Sequence, residues 1–462
     1  MSQTIWDKLY GSQSFTIKAL ALLPYFFVFM KTYLFLKRSQ TWSKEKLEQY
    51  QTTKLRELID HAYQNVPYYT RLFDENGIKP EDIKELSDLE KIPFLTKELV
   101  RENVNDLKAK KFPEKSFEYV TTGGSTGIPL GFYYEKGKSR AIEWAFMKTQ
   151  WDRVGYHFSD RTVILRGSII PSAVKGVFWQ KAFFNRWLLL SSYHMTDENL
   201  LLYIEKIRSF KPKFIHAYPS SVTLLAQFME RNNIPSFPTL KAVLCGSENL
   251  YSWQRDLIQR TLNCRVYSWY GNSEQTVLAG ECEYNSAYHI FPEYGIIELI
   301  DKNGNPVKKT DEMGEIVTTG LNNFVFPLIR YKTMDLGTIS DEECKCERKY
   351  RLIKHIEGRL QEFVVTKTGR LISMVAINMH SDVFDHVKQF QFYQDTLGEV
   401  TLNIVRCVSY SEIETNYIHD ELLKKMGDNV NLTLTFVDNI PQTKQGKHRF
   451  LIQKLPTNTW SD

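Results

Sequence analysis

The spacing of apolar residues predicts helices in the first hundred residues. One stripe follows the i, i+3, i+4, i+7, i+8 pattern of a single helix face and comprises Leu55, Leu58, Ile59, Ala62 and Tyr63. Pro67 ends this helix. A second helix is predicted to start at Thr96, after the break at Ile92-Pro93.

An apolar run at Ala19–Met30, extended by Tyr33–Leu36, precedes these helices. It is shorter than the about 20 apolar residues that a spanning helix needs. We expect residues 19–36 to form a helix packed in the fold. A helix lying on a membrane surface and a membrane span are the alternatives.

From residue 160 onward, short apolar runs alternate with amphipathic stretches. The runs are Thr162–Leu165, Lys213–Ala217, Ala242–Cys245 and Cys264–Trp269. Helix-like segments such as Ser220–Arg231 and Tyr251–Leu262 lie between them. This alternation predicts βαβ units and a mainly parallel sheet flanked by helices, in which ligands bind at the carboxyl ends of the strands.

The pattern changes again after residue 290. Tyr294–Ile300 and Gly314–Thr319 flank a turn at Asp301–Pro306, which predicts hairpins and a small barrel-like β region. Strands and a helix near Glu412–Met426 predict a small α+β domain at the end of the chain. The expected fold class is α/β with an α+β C-terminal part: a large domain over 1–357, which includes N-terminal helices in 1–110, and a small mobile domain over 358–462.

Composition excludes some classes of protein. The net charge is +5, from 59 basic and 54 acidic residues, without a basic block, so a nucleic-acid partner is not expected and an anionic small substrate is compatible. Six cysteines are too sparse for a disulfide scaffold, and no cleavable signal precedes them. We expect a cytoplasmic protein, with the inner face of the membrane as the alternative location.

The loop Thr121–Pro129 is the strongest single chemical signal. Its members Thr122, Gly123, Gly124, Ser125, Thr126 and Gly127 combine glycine backbone with hydroxyl donors, as a phosphate-binding loop requires. It lacks the Gly-Lys-Ser/Thr of a Walker loop. On loop chemistry alone, a flexible hydroxyl-rich turn remains the alternative.

Further motifs follow in a fixed order: Tyr270-Gly271-Asn272-Ser273-Glu274, Arg330–Gly337, Glu357-Gly358-Arg359 and Pro441–Lys447. In this order and at these distances they resemble the adenylate-forming superfamily of acyl-CoA synthetases, peptide-synthetase adenylation domains and luciferases. Within it the chain resembles the phenylacetate–CoA ligase branch, and more narrowly the CapK-like proteins of capsular polysaccharide gene clusters. The resemblance covers about residues 45 to 455.

The resemblance implies an ATP-dependent enzyme that activates a carboxylic acid as acyl-AMP. The loop 123–127 would hold phosphates, Glu274 would bind Mg²⁺, and Tyr270, with Gly271, would lie against adenine. Asp335 and Arg359 would contact the ribose, and Glu248 the nucleotide. Lys447, on the small domain, would act on the α-phosphate and carboxylate during adenylation; the alternative is a solvated surface lysine.

Three positions depart from the family pattern. Ile128 stands where many relatives have Lys, Gln361 where the hinge usually has an acid, and Met334 where Gly is frequent. None of them removes a residue that the first half-reaction needs.

Cys282, His289, Cys344 and Cys346 form a candidate structural Zn²⁺ site. The C-x₆-H and C-x-C spacings are weak evidence alone, but CapK-like relatives tend to carry Cys at these places. Four unrelated residues are the alternative.

The assignments of substrate-binding residues have less sequence evidence than the nucleotide-binding motifs. His194, His216 and Tyr218 lie at or just beyond the ends of predicted strands and are candidates for the acyl site. The acceptor is expected to be an amine, for which a sugar of a surface polysaccharide precursor is one carrier, with coenzyme A as the alternative. A non-catalytic scaffold at a membrane glycan-assembly site is the third alternative.

Overall fold

A computed structural model gives the fold. It describes residues 15–122, 130–307, 309–359, 362–374, 377, 383–384, 386–443 and 446–455. The predicted phosphate loop Gly123–Gly127, with Ile128, and the predicted hinge residue Gln361 therefore lie outside the described residues. The chain forms two compact units, each built from two segments: Met1–Tyr156 with Trp269–His355, and His157–Ser268 with Ile356–Asp462.

The described helices and strands are numbered here in chain order. The α-helices are α1 (Phe15–Ser39), α2 (Lys44–Asn65), α3 (Pro67–Glu75), α4 (Lys97–Glu102), α5 (Ser139–Asp152), α6 (Asp197–Phe210), α7 (Pro219–Arg231), α8 (Ser252–Leu262) and α9 (Glu412–Met426). The strands are β1 (Phe117–Thr121), β2 (Gly131–Glu135), β3 (Thr162–Leu165), β4 (Trp179–Ala182), β5 (Trp187–Leu190), β6 (Phe214–Ala217), β7 (Ala242–Gly246), β8 (Arg265–Gly271), β9 (Leu278–Gly280), β10 (Tyr288–Ile290), β11 (Gly295–Ile300), β12 (Met313–Gly320), β13 (Tyr331–Ser340), β14 (Leu352–Arg359), β15 (Phe363–Val365), β16 (Leu371–Ser373), β17 (Val387–Thr396), β18 (Glu399–Arg406), β19 (Asn431–Phe436) and β20 (Leu451–Gln453).

Helix α2 forms on the predicted apolar stripe. The Ser43 side chain accepts a hydrogen bond from the Lys46 amide at its start, as an N-cap serine does. Leu55, Leu58, Ile59 and Ala62 are all buried. Pro67 occupies the first turn of α3, where its missing amide hydrogen costs nothing. The prediction of this helix is confirmed.

The apolar run 19–36 lies within α1, which packs on α5 of the same unit. Within the residues that the structure describes, no helix combines the length and apolar character needed to cross a bilayer.

The first unit contains the predicted antiparallel β region. Its strands lie in the order β11-β12-β13-β14-β10-β9-β8. Ile300 pairs with Glu315 across the predicted turn, so β11 and β12 form the expected hairpin. A separate hairpin, β1 with β2, pairs Thr121 with Gly131 on either side of the loop 122–130.

The second unit contains the predicted parallel sheet, with strands in the order β8-β7-β6-β3-β5-β4. β6 pairs in parallel with both β3 and β7. Helices α6, α7 and α8 contribute Ile207, Leu225 and Ile258 to its core. Because β3, β5, β6 and β7 run in parallel, their carboxyl ends share one edge of the sheet.

The C-terminal segment adds a smaller sheet to the second unit, in the order β19-β18-β17-β20, and α9 lies on it. Its core takes in Tyr251, just before α8, and Trp253 within α8. Phe450 makes an edge-on contact with the Tyr251 ring at 5.4 Å between centroids. A mixed α/β fold with an α+β C-terminal part is confirmed by this architecture.

Candidate active site and metal centre

The turn after β8 carries the predicted magnesium ligand in the first unit. The Asn272 side chain accepts from the Thr276 amide (3.0 Å) and donates to the Thr276 hydroxyl (2.7 Å), which closes the turn around Glu274. Glu274 is buried, and Tyr331 Oη donates to its Oε1 at 2.6 Å. The carboxylate is thus held in one orientation by a neutral donor.

Tyr270 and Asp335, predicted to bind the two ends of a nucleoside, lie in contact. Tyr270 Oη donates to Asp335 Oδ2 at 2.8 Å. The Asp335 amide donates to Thr333 Oγ1 at 3.1 Å, so the acid is positioned from its backbone as well. Gly271 approaches β9 closely, because a Cβ there would lie 3.2 Å from the Val277 carbonyl oxygen.

Thr122 closes the base of the predicted phosphate loop. Its amide donates to the Leu130 carbonyl at 2.9 Å, and the Leu130 amide donates to Thr122 Oγ1 at 2.9 Å. The two chain ends of the loop are therefore held as neighbours. Gly123, Gly124, Ser125, Thr126 and Gly127, which the prediction assigns to phosphate, lie outside the described residues.

Two cations meet at the carboxyl edge of the parallel sheet in the second unit. Arg166 follows β3, and its Nη1 lies 2.7 Å from His216 Nε2. Its Nη2 donates to the Ser247 hydroxyl, just after β7. Lys447 Nζ donates to the Ser247 carbonyl oxygen at 2.7 Å. We call Arg166, His216, Ser247 and Lys447, with Tyr218, the strand-end cluster.

Tyr218 supplies an aromatic surface for both cations of this cluster. Arg166 and Lys447 each lie 5.2 Å from its ring centroid, within the range of a cation–π interaction. His216 is buried, and burial together with the neighbouring Arg166 charge holds its pKa well below the ordinary value. The imidazole is therefore neutral at pH 7 and adds no third positive charge.

Lys447 is held by the backbone around it. Thr443 bonds it twice: the Lys447 amide donates to Thr443 Oγ1 at 3.1 Å, and the Thr443 amide donates to the Lys447 carbonyl at 2.9 Å. Gly446 has φ +73°, and a Cβ there would lie 2.6 Å from Ser192 Oγ. Glycine suits both the left-handed backbone and the close approach to Ser192, which accounts for the Gly446-Lys447 pair in the motif.

Glu248 lies next to Ser247 at the same edge. Its Oε2 accepts from the Ser220 amide (2.9 Å) at the start of α7, and its Oε1 accepts from the Ser220 hydroxyl (3.1 Å). Burial raises the pKa of this carboxyl, while the Ser220 bonds and Lys447 act in the opposite direction. A helix N-terminus thus anchors the predicted nucleotide contact.

The remaining predicted residues lie in the second unit. His194 accepts from or donates to Ser191 Oγ at 2.8 Å and stacks on Phe178, which is a packing environment for a candidate acyl-site residue. In the Glu357-Gly358-Arg359 motif, Gly358 has φ +103°, and a Cβ there would meet Asn249 and Glu362. The side chain of Arg359 lies outside the described atoms.

The four predicted zinc ligands converge in the first unit. Cys282, His289, Cys344 and Cys346 place one ligand atom each within 4.8 Å of the others. The Cys282 and Cys344 sulfurs are 3.5 Å apart, and Cys346 Sγ lies 3.1 Å from His289 Nε2. Tetrahedral zinc, with about 2.3 Å to sulfur and about 2.0 Å to nitrogen, separates its ligands by roughly 3.5–3.8 Å. The donor set and spacing fit such an ion.

The surroundings of the cysteines also fit a metal. The Tyr284 and Asn285 amides both donate to Cys282 Sγ, at 3.3 Å. A hydrogen bond from Cys282 and then one from His289 lower the pKa of Cys346. The guanidinium of Arg153 is buried, which lowers its pKa, and its electrostatic interaction with the Cys346 thiolate acts to raise that pKa. Cation and thiolates together suit the anionic character of a Cys₃His site.

Comparisons with known proteins agree with the resemblance predicted from the sequence. A model of the CapK C-terminal domain matches residues 364–454. Protein CapK of Staphylococcus aureus is 28% identical over 88% of this chain and 89% of its own length. Phenylacetate-coenzyme A ligase of Thermus thermophilus is 25% identical over 89% of this chain and 97% of its own. The chain is similar to protein CapK and to the phenylacetate-coenzyme A ligases over most of its length. The predicted resemblance is confirmed.

A solved structure resembles this CapK-like chain in fold. The 2-hydroxyisobutyryl-CoA ligase, solved in the postadenylation state with 2-HIB-AMP, superposes with a TM-score of 0.73 over 90% of this chain and 91% of that one, at 19% identity. The agreement at this low identity concerns the fold, a large α/β body with a small C-terminal domain.

Sequence reasoning missed two residues in this CapK-like chain. Arg166 follows a predicted strand but belongs to none of the sequence motifs. The parallel register of β3, β6 and β7 brings it to His216 and Ser247. Glu143 of α5 is half-buried and accepts a bond from Tyr294; desolvation of its carboxyl raises its pKa to about 7. A charged residue directly after a predicted parallel strand was the one signal available for Arg166.

Proposed function

We propose that the chain is an AMP-forming carboxylate ligase. A carboxylate oxygen attacks the α-phosphorus of ATP, the bond from that phosphorus to the pyrophosphate oxygen breaks, and pyrophosphate leaves with the electron pair. The observation that carries the proposal is the strand-end cluster, in which Lys447, from the region matched by the CapK C-terminal domain, joins Arg166 at the ends of the parallel strands. Two cations suit a reaction between two anions.

Each residue has a proposed role within this reaction. Lys447 would neutralise the charge that builds on the α-phosphate and carboxylate oxygens, and Arg166 would hold the carboxylate of the acid through its planar fork. Tyr270 and Asp335 would hold the adenosine, the former against adenine and the latter on the ribose hydroxyls. Loop 123–127, Glu248 and Arg359 complete the proposed nucleotide contacts.

Two metals are proposed, with separate duties. Glu274 would bind Mg²⁺, whose charge neutralises ATP phosphates; its carboxylate is already oriented by Tyr331. Cys282, His289, Cys344 and Cys346 would hold Zn²⁺ as a structural ion that links β10 to the segment between β13 and β14.

The second half-reaction transfers the acyl group to an acceptor. A thiol or amine attacks the acyl carbon, AMP leaves, and the acceptor loses a proton. Coenzyme A is supported as acceptor by the names of the relatives, which are coenzyme A ligases. An amine, with a place in surface polysaccharide synthesis, remains the finer proposal that the motif resemblance suggested.

One experiment tests both steps. A panel of carboxylic acids is screened for ATP–pyrophosphate exchange, then for AMP release with coenzyme A or with amines added. We expect exchange that depends on one class of acid. Exchange absent for every acid, together with no binding of ATP, AMP or a non-hydrolysable acyl-AMP analogue, would contradict the proposed ligase.

A further inference from the structure

A hairpin in the second unit exposes apolar side chains in a basic setting. We call residues 169–187, which include β4 and the turn into β5, the Phe184 hairpin. Its exposed apolar residues are Ile169, Val174, Val177 and Phe184, of which Val174 is 91% and Phe184 76% exposed. A 3₁₀ helix, Pro171–Lys175, packs against β4, so the exposed residues before and after that strand belong to one small substructure.

The backbone of the hairpin tip holds Phe184 outward. Phe183, Phe184 and Asn185 all have left-handed backbone, with φ of 44°, 52° and 59°. For a bulky residue this conformation is unfavourable, and it persists only where surrounding structure imposes it. Phe183 stacks on Trp187 at 4.8 Å between centroids, and the Arg186 amide donates to the Phe183 carbonyl at 2.9 Å. These contacts anchor the tip while the next ring stays in solvent.

The charged residues along this segment of the sequence have one sign. From Arg161 to Thr196 the sequence contains no Asp or Glu, but it contains Arg161, Arg166, Lys175, Lys181 and Arg186. Lys175, Lys181 and Arg186 are exposed and flank the exposed apolar residues. Exposed apolar groups surrounded by cations are the pattern that anionic lipid surfaces attract.

We propose that the Phe184 hairpin docks the protein on an anionic lipid bilayer surface. Phe184 and Val174 would enter the boundary between headgroups and acyl chains, while Lys175, Lys181 and Arg186 would meet lipid phosphates. A second copy of the chain is a poorer occupant. β4, at the end of the strand order, is only four residues long and exposes Lys181, features that prevent edge-to-edge pairing.

Sedimentation of the full-length chain with lipid vesicles tests this surface. We expect binding to vesicles containing about one-third phosphatidylglycerol, little binding to pure phosphatidylcholine, and loss of binding in high salt. Lys181→Glu with Arg186→Glu should weaken binding at least about 25-fold, at roughly fivefold per cation removed. Phe184→Ser should weaken it about tenfold or more.

Matched variants separate this site from general effects. Ile413→Ser removes another exposed apolar side chain, and Lys110→Glu with Lys111→Glu reverses another exposed basic pair; both should bind vesicles like the wild type. Phe26→Ser with Phe27→Ser tests the exposed aromatics of α1 and should also retain binding. Equal melting temperatures check that all variants fold.

Three results would overturn the proposal. They are absence of binding to anionic vesicles, unchanged binding by the hairpin variants, and a dimer by light scattering that Phe184→Ser converts to monomer. The last result would assign the hairpin to a second copy of the chain. The outcome is independent of adenylation, since none of the altered residues belongs to the proposed catalytic groups.

Discussion

Ser247 is the residue at which the two cations of the strand-end cluster meet. Its hydroxyl accepts from Arg166 and its carbonyl from Lys447. Its φ is +69°, a conformation that costs about 1–3 kcal/mol for a residue other than glycine. Strain of this kind is concentrated at functional sites, which agrees with the catalytic role proposed for the cluster.

Lys447→Ala provides the sharpest mechanistic test at the residue scale. We expect ATP binding to stay near normal but acid-dependent pyrophosphate exchange to fall about 10²-fold or more, the effect of removing one preorganised electrostatic group. Transfer from preformed acyl-AMP should survive better, because no pyrophosphate is expelled in that step. Lys424→Ala, which removes only an exposed ion pair with Glu421, is the control. Wild-type exchange by Lys447→Ala would remove that lysine from the mechanism.

Arg166 yields a separate prediction. Arg166→Leu should lower kcat/KM for the carboxylic acid by about 10- to 100-fold and change KM for ATP little, because the proposed partner is the acid. Arg166→Lys should recover part of the loss, since it keeps the charge but not the bidentate fork. Arg208→Leu, at an exposed arginine bound to the Pro235 carbonyl, is the control. An equal loss for ATP and acid would argue against a specific contact with the acid.

Single residues also show how far sequence reasoning reached. Met334 occupies a position where the resembling family often has glycine, and the structure gives it φ +66°, a conformation that glycine adopts without strain. Tyr270 and Asp335 were each selected from motif order, and the structure adds that the two side chains are in contact. Arg166 and Glu143 did not, because their partners are distant in sequence and only tertiary packing brings them near.

At the scale of elements, the proposed zinc ligands lie on strand β10, just before it, and in the segment that follows β13. Cys344→Ser with Cys346→Ser should lose a zinc ion present at one per chain in the wild type and should melt at a lower temperature. Elemental analysis and a melting curve measure the two effects. Cys407→Ser, outside the cluster, should keep the metal. Wild-type protein that folds without zinc would contradict the proposed zinc site but not the proposed ligase activity.

Helix α5 carries a pH-dependent element in Glu143. Its pKa of about 7 in the folded chain, against 4.5 ordinarily, means that the folded state binds the extra proton between these values. Its contribution to stability is therefore greatest at low pH and falls as pH rises from about 4.5 to 7, by up to about 3 kcal/mol.

Glu143→Gln should remove that pH dependence. The variant should gain stability relative to wild type as pH rises through this window, and the difference should level off above it. Urea unfolding at several pH values measures the slope. Glu102→Gln, at an exposed glutamate, should change nothing. A difference that stays constant with pH would show that Glu143 ionises as freely in the folded chain as in the unfolded one.

Long, periodic elements were predicted well from the sequence. Helix α9 spans the predicted Glu412–Met426, and β3 spans the predicted Thr162–Leu165. The edge strand β4 was missed, because four residues with no clear alternation of apolar and polar side chains carry too little pattern. Its pairing with β5 is specified by the turn at Phe183–Arg186 rather than by periodicity.

At the scale of the whole molecule, nucleotide binding should appear as stability. ATP with Mg²⁺ at about 100 times its Kd should add about 2.7 kcal/mol to the free energy of unfolding. A thermal shift assay measures this, with AMP and an acyl-AMP analogue as further ligands. GTP with Mg²⁺ controls for non-specific effects of nucleotide and metal. An unchanged melting temperature with all the adenine ligands would contradict nucleotide binding.

The composition of the compact units could not be read from the sequence. Residues 157–268 gather with residues 356–462 because Tyr251 and Trp253 share a core with Phe450. A local sequence pattern does not predict a contact between side chains about two hundred positions apart. The boundary at 357/358 therefore stays a prediction about which part of the chain moves. The match of residues 364–454 to the CapK C-terminal domain is compatible with that boundary.

The interleaved segments of the two units have a consequence for biogenesis. Since the first unit needs strands up to His355, it cannot close when residue 156 leaves the ribosome. Roughly 200 more residues must be translated first, which takes about 10–40 s at 5–20 residues per second. During that interval the nascent chain exposes surfaces made for β strands not yet synthesised. Chaperone binding to the nascent chain should therefore be greatest before residue 355 emerges. If the gene is split between the two segments of either unit, the fragments should assemble only when they are coexpressed.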